Sequence, residues 1–410
     1  MTRTAVLGSG IVGICCAIAL ADDGHQVTLI DRSSPAQETS RWNAGVMATS
    51  SIVPLNNPSR FGLLPRLIAG RHPGFRLNGS DAGALLPWSL RFLSNSRKSR
   101  SEAATAALKQ LIGQSRQAHE ALCARAGFEA LQGNGWLMLY RGSKGAARAV
   151  AQSRNLMARE VEAQNLTLAE LARLEPNLSP AFTGAVHIVG TAHTDPAALA
   201  LAYLKVAADV GIGRSEAHIK ALSRDVQGWH LDGPADRLGP FDQVVLALGP
   251  WTNDILRSVS KRLPLAIERG YLQKFACDRP PARPFLDLDA GYVAAARPGG
   301  VQMSSGTHLT RLGSKPNPDM LSRAIPKAKE ALRLGAALLP ETVVGNRPTL
   351  PDGLPVIGAL QGPPGLWIAT GHQHVGFSTS AGTAILLAAL MRQSTCNINP
   401  EPFNPRRFGV

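Results

Sequence analysis

The start of the chain alternates apolar and polar positions in a way that predicts a β-α-β unit. Ala5–Leu7 has the pattern of a short strand. An apolar helix follows it to about Ala21, and Gly24 ends that helix. Val27–Ile30 is a second apolar strand, and it stops at Asp31.

The turn between the first strand and the helix has the glycine spacing of a dinucleotide-binding site. Gly8 makes the tight turn, Gly10 lets the backbone approach a pyrophosphate, and Gly13 lets the helix lie close to the strand. We expect the pyrophosphate at the helix N-terminus and the ribose hydroxyls at Asp31. An acid at this position disfavours a 2′-phosphate, and so NADP, but the pattern leaves FAD and NAD open.

Residues 33–60 depart from the run of further βα units that is usual in NAD dehydrogenases. They are rich in Ser, Asn, Gly and Pro, which predicts a loop. Within this loop, Thr39–Met47 contains a glycine and small residues, which let the backbone contact the flat ring of a bound dinucleotide. A plain surface loop is the alternative interpretation of this segment.

Later segments predict a second domain inserted within the first. A helix is predicted at 194–211, where Thr194 or Asp195 caps the start and Gly211 the end. A buried strand at Gln243–Leu248 leads into Gly249, an edge that commonly packs beside a dinucleotide. Residues 268–312 have the pattern of an antiparallel sheet, and 345–391 return to the nucleotide domain with a strand and a final helix.

Charge raises the question of a polyanionic partner. The chain has 410 residues, 43 Lys and Arg against 29 Asp and Glu, and a formal net charge of +14. Its basic residues are scattered, and the densest group is Arg91, Arg97, Lys98 and Arg100. No nucleic-acid motif accompanies that group, so we expect no nucleic-acid partner, whereas contact with an anionic membrane surface stays open.

Cysteine usage and hydropathy bear on the compartment. The five cysteines show no CxxC pair and no metal-ligand spacing, which is typical of a reducing environment. No run of about 18 apolar residues is present, and the glycines of the first turn argue against a signal peptide. We expect a cytoplasmic protein, with peripheral contact at the inner face of the cytoplasmic membrane as an open alternative.

Five motifs occur in an order that resembles one family. They are "VLGSGIVG…VTLID", "ETSRWNAG", "LALGPWTNDIL", "GNRPTLPDGLPVIG" and "ATGHQHVGFSTSAGTAILLAAL", and they extend along most of the chain. This set resembles the D-amino-acid oxidase superfamily of flavoproteins, above all its bacterial D-amino-acid dehydrogenase and glycine-oxidase branch. The resemblance implies FAD as the cofactor and an α/β fold. In that fold a Rossmann-type, glutathione-reductase-like FAD domain (1–85, 180–258 and 333–410) is interrupted by a substrate domain with a mixed or antiparallel sheet (86–179 and 259–332).

The resemblance also implies the site residues. Arg347 matches the arginine that pairs with a substrate carboxylate through two parallel hydrogen bonds. Tyr292 and His308 match substrate-facing positions, although Tyr292 also fits a core aromatic and a one-residue shift would reverse the face of His308. The implied cofactor-binding residues are Gly8, Gly10, Ile11, Val12, Gly13, Asp31, Arg32, Arg41, Asn43, Ala44, Gly45, Met47, Gly249, Gly371, His372, Gly376, Phe377 and Ser378.

Two positions depart from the family pattern. One is the second histidine of His372-x-His374, and two such ligands do not make a metal site, so we expect no metal. The other is Asn346 before Arg347, which we expect to line the pocket and to widen the choice of substrate beyond a small amino acid.

The implied activity is oxidation of an amino-acid substrate by hydride transfer from Cα to the flavin, followed by hydrolysis of the imine to a 2-oxo acid and ammonia. A D-amino acid is the first expectation. A cyclic or N-substituted amino acid (D-hydroxyproline, opine or sarcosine type) is the alternative, including as one subunit of a heteromeric dehydrogenase. Oxygen, a quinone and a partner protein all stay open as the electron acceptor. The non-enzymatic alternative is a basic protein that binds nucleic acid or a membrane surface.

Overall fold

The computed structural model describes residues 1–58, 72–234 and 237–410. Residues 59–71 of the predicted segment 1–85, residues 59–60 of the predicted loop, and residues 235–236 of the predicted segment 180–258 lie outside the described residues. The helices in the described part are α1 (Ile11–Asp22), α2 (Ala82–Asn95), α3 (Lys98–Ala126), α4 (Gly145–Met157), α5 (Leu168–Leu174), α6 (Pro196–Asp209), α7 (Thr252–Leu256), α8 (Asp319–Ala331) and α9 (Gly376–Met391).

The strands of the described part fall into four sheets. In chain order they are β1 (Arg3–Leu7), β2 (Gln26–Asp31), β3 (Val46–Met47), β4 (Phe75–Leu77), β5 (Trp136–Tyr140), β6 (Ala163–Leu166), β7 (Gly184–Ile188), β8 (Ala192–His193), β9 (Gly213–Glu216), β10 (Ala221–Asp225), β11 (Gly228–Asp232), β12 (Arg237–Phe241), β13 (Gln243–Leu246), β14 (Ala266–Phe275), β15 (Phe285–Asp287), β16 (Tyr292–Arg297), β17 (Gly300–Ser305), β18 (Thr307–Thr310), β19 (Val343–Thr349), β20 (Val356–Ala359) and β21 (Leu366–Thr370).

A six-stranded sheet with the order β20-β21-β13-β1-β2-β9 forms the nucleotide-binding half. All its pairs are parallel except β20 with β21. Since parallel strands of one sheet end at the same edge, the turns after β1 and β13 and the acid that ends β2 come together there. The β-α-β unit predicted from the first residues is confirmed.

Helix α9 is the central helix of this half, not a membrane span. The stretch Gln373–Met391, which consists of α9 and the three residues before it, is long and apolar enough to cross a bilayer, but 72% of its apolar window is buried inside the protein. Helix α9 packs on α1 and α3, and a Cβ on Gly382 would lie only 2.7 Å from the carbonyl oxygen of Leu111. The thiols of Cys15 and Cys16 face the same core, and burial raises the pKa of Cys15 to about 12, so they act as small apolar groups.

The second large sheet has ten strands, in the order β4-β18-β14-β17-β16-β15-β5-β7-β6, and β19 pairs with β14 beside that path. The antiparallel strands predicted within 268–312 are confirmed as parts of this sheet. Strand β14 is its longest member and pairs with β17, β18 and β19. This strand is therefore the element around which the second half assembles.

The structure corrects the predicted domain boundaries. Strands β4, β7 and β19 belong to the ten-stranded sheet, although they lie in segments assigned to the FAD domain. Helix α3 lies in a segment assigned to the substrate domain, yet it contributes Leu108 and Leu111 to the core around α1 and α9. Local apolar patterns predict that a strand or helix forms, but they do not indicate which distant partner it joins.

The close contact between α9 and α3 leads to a stability prediction. Gly382→Ala places a methyl group against the Leu111 carbonyl and Ser115, so we expect a loss of about 1–3 kcal/mol in the free energy of unfolding. Urea titration of the full chain measures this. The control is Gly113→Ala on α3, which has open space around it and gains helix propensity. Equal effects of the two changes would contradict the packing described here.

Candidate active site

A cavity that is open to solvent lies where the two large sheets meet. It extends from the glycine-rich turn after β1 to Arg347 on β19. The turn after β1, the start of α1, the end of β2 and the start of α9 border it on one side. Strands β14 and β19 border it on the other.

Many of the predicted residues meet at this cavity and others do not. Those that line it are Gly8, Gly10, Ile11, Val12, Asp31, Arg32, Asn43, Gly249, Arg347, His372, Gly376 and Phe377. The cavity lining does not include Gly13, Arg41, Ala44, Gly45, Met47, Gly371, Ser378, Tyr292 or His308.

The glycine-rich turn has the geometry that its spacing predicts. Gly8 has a φ of +103°, and a Cβ there would lie 2.4 Å from the Ala247 carbonyl oxygen. A Cβ on Gly13 would lie 1.7 Å from the Gly8 carbonyl, so Gly13 brings α1 against the turn without facing the cavity. The N-cap residue of helix α1, Gly10, has no side chain to cap the helix, and the first turn contains no acid. The positive end of α1 is therefore available to an anionic group.

The acid at the end of β2 has a second task that the sequence did not indicate. One oxygen of the Asp31 carboxylate accepts hydrogen bonds from the backbone nitrogen of Ser9 at 2.6 Å and its hydroxyl at 2.9 Å. Asp31 thus holds the glycine-rich turn in place while it lines the cavity. Next to it, the Arg32 guanidinium lies 4.1 Å from the ring centre of Trp251.

The loop after β2 closes the cavity beside α1. The Ser40 hydroxyl accepts a hydrogen bond from the backbone nitrogen of Ile11 at 3.0 Å, and Trp42 also lines the cavity. Gln302 and Arg297 of the ten-stranded sheet donate to the carbonyl groups of Asn43, at 3.0 Å, and of Ala44, at 2.6 Å. These bonds tie the loop to both halves of the molecule.

The remaining predicted loop residues support the loop from behind. Gly45 has a φ of +72°, and a Cβ there would lie 1.9 Å from the Thr194 carbonyl oxygen. Met47 is buried in the short pair of β3 with β8, and Arg41 donates to the side chain of Gln37. These three residues thus support the loop from outside the cavity lining, and their predicted contact with the cofactor stays a prediction.

The turn before α9 forms the far wall. Gly371 has a φ of +83° and packs on Leu350, and Gln373, which lines the cavity, has the unusual φ of +51°. Helix α9 begins without a side-chain cap, and Gly376 and Phe377 of its first turn face the cavity. Ser378 lies behind them, where its hydroxyl accepts from the backbone nitrogen of Ala48 at 3.1 Å.

His372 and His374 have separate partners. A hydrogen bond of 3.0 Å joins His372 Nε2 to the Thr383 hydroxyl, and burial lowers the pKa of His372 to about 3, so its ring is neutral. His374 Nδ1 lies 3.4 Å from a carboxylate oxygen of Glu268. No group of three His, Cys, Asp or Glu side chains in the described part of the chain is placed to hold a metal.

Arg347 presents an unpaired guanidinium to the cavity. It lies on β19, and its guanidinium rests over Gly270 of β14, where a Cβ would come within 2.7 Å of Nη2. Within residues 1–58, 72–234 and 237–410, no group accepts a hydrogen bond from this guanidinium. Burial lowers the pKa of Arg347 from its ordinary 12.5, and the charge of Glu268 opposes that shift. Its five donors are thus free for an anion of matching shape.

Glu268 is the residue at this site that the sequence reasoning missed. It pairs directly with Arg347 across β14 and β19, so both side chains are on one face of the sheet. Its carboxylate is fully buried and accepts from the Thr349 hydroxyl at 2.8 Å. Burial disfavours its charged form, but His374, Thr349 and Arg347 together hold the pKa of Glu268 below its ordinary value. The sequence alone does not show that Glu268 lies opposite Arg347, because that requires the register of β14 with β19.

The structure does not bring Tyr292 to the cavity, which corrects that prediction. Its side chain is fully buried in the core of the second half, edge-on to Phe285 with ring centres 5.9 Å apart. Burial raises the pKa of its hydroxyl. The alternative of a core aromatic therefore describes Tyr292.

His308 supports the cavity indirectly. Its Nδ1 lies 2.7 Å from the hydroxyl of Tyr271, a buried residue that borders the cavity, and burial lowers the pKa of His308 to about 4. The same hydroxyl accepts from the backbone nitrogen of Asn317 at 2.8 Å. Asn346 also lies outside the lining, since its side-chain oxygen accepts from Arg269 at 2.9 Å. It therefore gives no reason to expect an enlarged pocket.

Comparison with known proteins places this fold and cavity in a family. The sequence profile of the FAD-dependent oxidoreductases known as DAO matches residues 3–390, and the chain belongs to that family. It is 28% identical over 423 residues to a D-amino-acid oxidase of Bradyrhizobium diazoefficiens, with 99% of each chain covered. It is 30% identical over 426 residues to D-amino acid dehydrogenase 2 of Ralstonia nicotianae, with 97% of this chain and 98% of the relative covered.

A solved structure shows the same fold. The crystal structure of glycine oxidase from Geobacillus kaustophilus superposes with a TM-score of 0.73 at 20% identity and covers 98% of both chains. The chain is thus an FAD-dependent oxidoreductase that acts on amino acids, as its motifs predicted. The starts of α1 and α9, neither of which has an acid in its first turn, and the glycine at position 10 border this cavity and fit FAD.

The turn geometry predicts how FAD binding fails. A side chain at Gly10 faces the cavity and meets the Ser40 hydroxyl, so Gly10→Val blocks the approach of a pyrophosphate to the backbone. We expect at least tenfold less bound flavin per protein, roughly the loss of a close charge-assisted contact, measured by absorbance after purification. Gly113→Val, in open space on α3, is the control. Full flavin content in Gly10→Val would contradict this site.

Proposed function

We propose that the protein oxidises a D-amino acid to the imine, which water converts to a 2-oxo acid and ammonia. The observation that carries this proposal is the unpaired Arg347 guanidinium in the cavity, a ready partner for an α-carboxylate. The D configuration is supported by the relatives, which are a D-amino-acid oxidase and a D-amino acid dehydrogenase. When bound, FAD supplies the acceptor for the hydride that leaves Cα.

The protein side chains then bind and orient the substrate. Arg347 holds the carboxylate through two parallel hydrogen bonds, which fixes the direction of the Cα–H bond. Glu268 keeps the guanidinium charged and in place from its paired position on β14. The substrate amine loses a proton and Cα loses a hydride, and the resulting imine is hydrolysed in water. No strong base is needed, because positioning dominates hydride transfer.

The start of α9 adds electrostatic support. Its uncapped N-terminus faces the cavity through Gly376 and Phe377, and such an end stabilises negative charge that develops nearby. His372 beside it is neutral, so it adds no competing charge to this wall.

A substrate panel separates the D-amino acid from the alternatives. The flavin-loaded protein is mixed without oxygen with D-alanine, L-alanine, glycine, sarcosine and cis-4-hydroxy-D-proline, and bleaching of the flavin is followed. We expect D-alanine to bleach it fastest. Faster bleaching by sarcosine or the hydroxyproline would replace the proposal with an N-substituted or cyclic substrate. Turnover with oxygen against a soluble quinone analogue then identifies the acceptor.

The role of Arg347 is tested by its removal. Loss of two charge-assisted hydrogen bonds, each worth about 1.5–3 kcal/mol, predicts that Arg347→Ala lowers kcat/KM by roughly 10²–10⁴-fold. Arg347→Lys recovers part of this, because it keeps the charge without the planar fork. Arg323→Ala, at an exposed position on α8, is the matched control. An unchanged kcat/KM in Arg347→Ala would remove this arginine from substrate binding.

Glu268 acts through Arg347, so its variant has a distinct signature. Glu268→Gln leaves Arg347 without its opposite charge, and we expect a higher KM and about 1–3 kcal/mol less stability at neutral pH. Because the pKa of Glu268 is lowered on folding, the carboxylate stabilises the protein above its ordinary pKa of 4.5. That contribution is lost as the pH falls through the lowered pKa. Urea titrations from pH 7 to about 3 measure it, and a wild-type advantage that stays constant over this range would contradict it.

A further inference from the structure

Helix α2 has apolar residues on two opposite faces, and only one face is buried. Leu85 and Trp88 pack inward, and Trp88 stacks on Phe92 with ring centres 5.1 Å apart. The opposite face carries Leu86, Leu90 and Leu93, which are 56%, 59% and 46% exposed. Their spacing of four and three residues places them in one stripe along the helix. A helix that is apolar on both faces is normally buried on both. The exposed leucine stripe, in contrast, has no partner within the described chain.

Positive charge surrounds the stripe. Residues 82–102 contain Arg91, Arg97, Lys98 and Arg100 against a single acid, Glu102, whose carboxylate lies 4.0 Å from the Lys98 ammonium. All four are exposed. Arg100 bends back to the last turn of α2, where its guanidinium donates to the Ser94 carbonyl oxygen at 3.3 Å. An apolar stripe on a helix with basic residues beside it is the pattern of a helix that lies in the interface of a membrane.

We propose that the leucine stripe of α2 and these four basic residues bind the surface of an anionic lipid bilayer. The leucines enter the boundary between headgroups and acyl chains, and the basic residues pair with anionic headgroups. A second copy of the chain fits this surface poorly. A symmetric pairing of two stripes would bring both basic groups together, with only Glu102 of each copy to offset four positive charges.

The position of α2 links this surface to the cavity. The indole nitrogen of Trp88 donates to the Thr349 carbonyl oxygen at 3.3 Å, and the Thr349 hydroxyl donates to Glu268. Helix α2 thus rests on β19, the strand that carries Arg347. Under the proposed function, docking here brings the ten-stranded half and the cavity beside it to a membrane, where a quinone can accept electrons from the flavin. Membrane binding itself does not depend on that function.

Vesicle co-sedimentation of the flavin-loaded full chain tests the surface. The vesicles are phosphatidylcholine alone or phosphatidylcholine mixed with phosphatidylglycerol. We expect binding to the mixed vesicles that falls with added salt, and little binding to the neutral ones. No binding to the mixed vesicles would overturn the proposal.

Variants locate the binding to α2. Leu86→Ser, Leu90→Ser and Leu93→Ser combined should weaken binding at least about tenfold. Arg97→Gln with Lys98→Gln should weaken it by about fivefold for each charge removed. The control is Leu201→Ser, a leucine on α6 that is 68% exposed, and it should bind as the wild type does. Flavin content shows that each variant folds.

Two results would contradict the assignment to α2. In the first, the leucine variant binds vesicles as well as the wild type does. In the second, sedimentation velocity shows a wild-type dimer that the leucine changes dissociate, which would identify a second copy as the occupant of the stripe.

Discussion

The opposed charges of Arg347 and Glu268, whose residues lie opposite each other on β19 and β14, are the constraint on which the site depends. A guanidinium that faces a cavity is costly to desolvate, and it persists here because a buried carboxylate lies directly across the strand pair. Glu268 is in turn held by Thr349 and His374, so the charge balance extends from β19 to the turn before α9. One pair of strands therefore connects the arginine that we propose to bind the substrate with the turn before α9.

This arrangement explains why the two sheets must meet where they do. The six-stranded sheet ends its parallel strands at the glycine-rich turn and at Asp31, which provides an anion site at the start of α1. The ten-stranded sheet carries β14 and β19 to the other side of the same cavity. Hydrogen bonds from Gln302 and Arg297 to the loop at 43–44 hold the two sides together. Neither sheet contains a complete site.

The sequence was most informative where structure is local. The first β-α-β unit, the helix that starts after Asp195 and the strand Leu366–Thr370 follow from periodicity, caps and glycines over short stretches. Arg347, which its motif singled out, also lies in the lining of the cavity. These features need no knowledge of distant partners.

The rest depended on register between distant strands. Tyr292 and His308 have suitable chemistry, but the pairing of β16 and β18 turns both away from the cavity lining. A shift of one residue decides which face a side chain takes, and the sequence does not fix that shift. Glu268 was missed for the same reason, because its partners Arg347, Thr349 and His374 all come from far along the chain. The predicted domain boundaries differ from the observed grouping of strands, because β4, β7 and β19 join a sheet that their own sequences do not specify.

The central claim is that the unpaired Arg347 guanidinium recognises the carboxylate of an amino acid that reduces the flavin. The most direct measurement compares flavin bleaching by D-alanine and by D-alaninamide, mixed without oxygen with the flavin-loaded wild-type protein. The account predicts that the amide, which lacks the carboxylate, bleaches the flavin roughly a hundredfold or more slowly, as the loss of charge-assisted hydrogen bonds requires. Equal rates for the two compounds would contradict it.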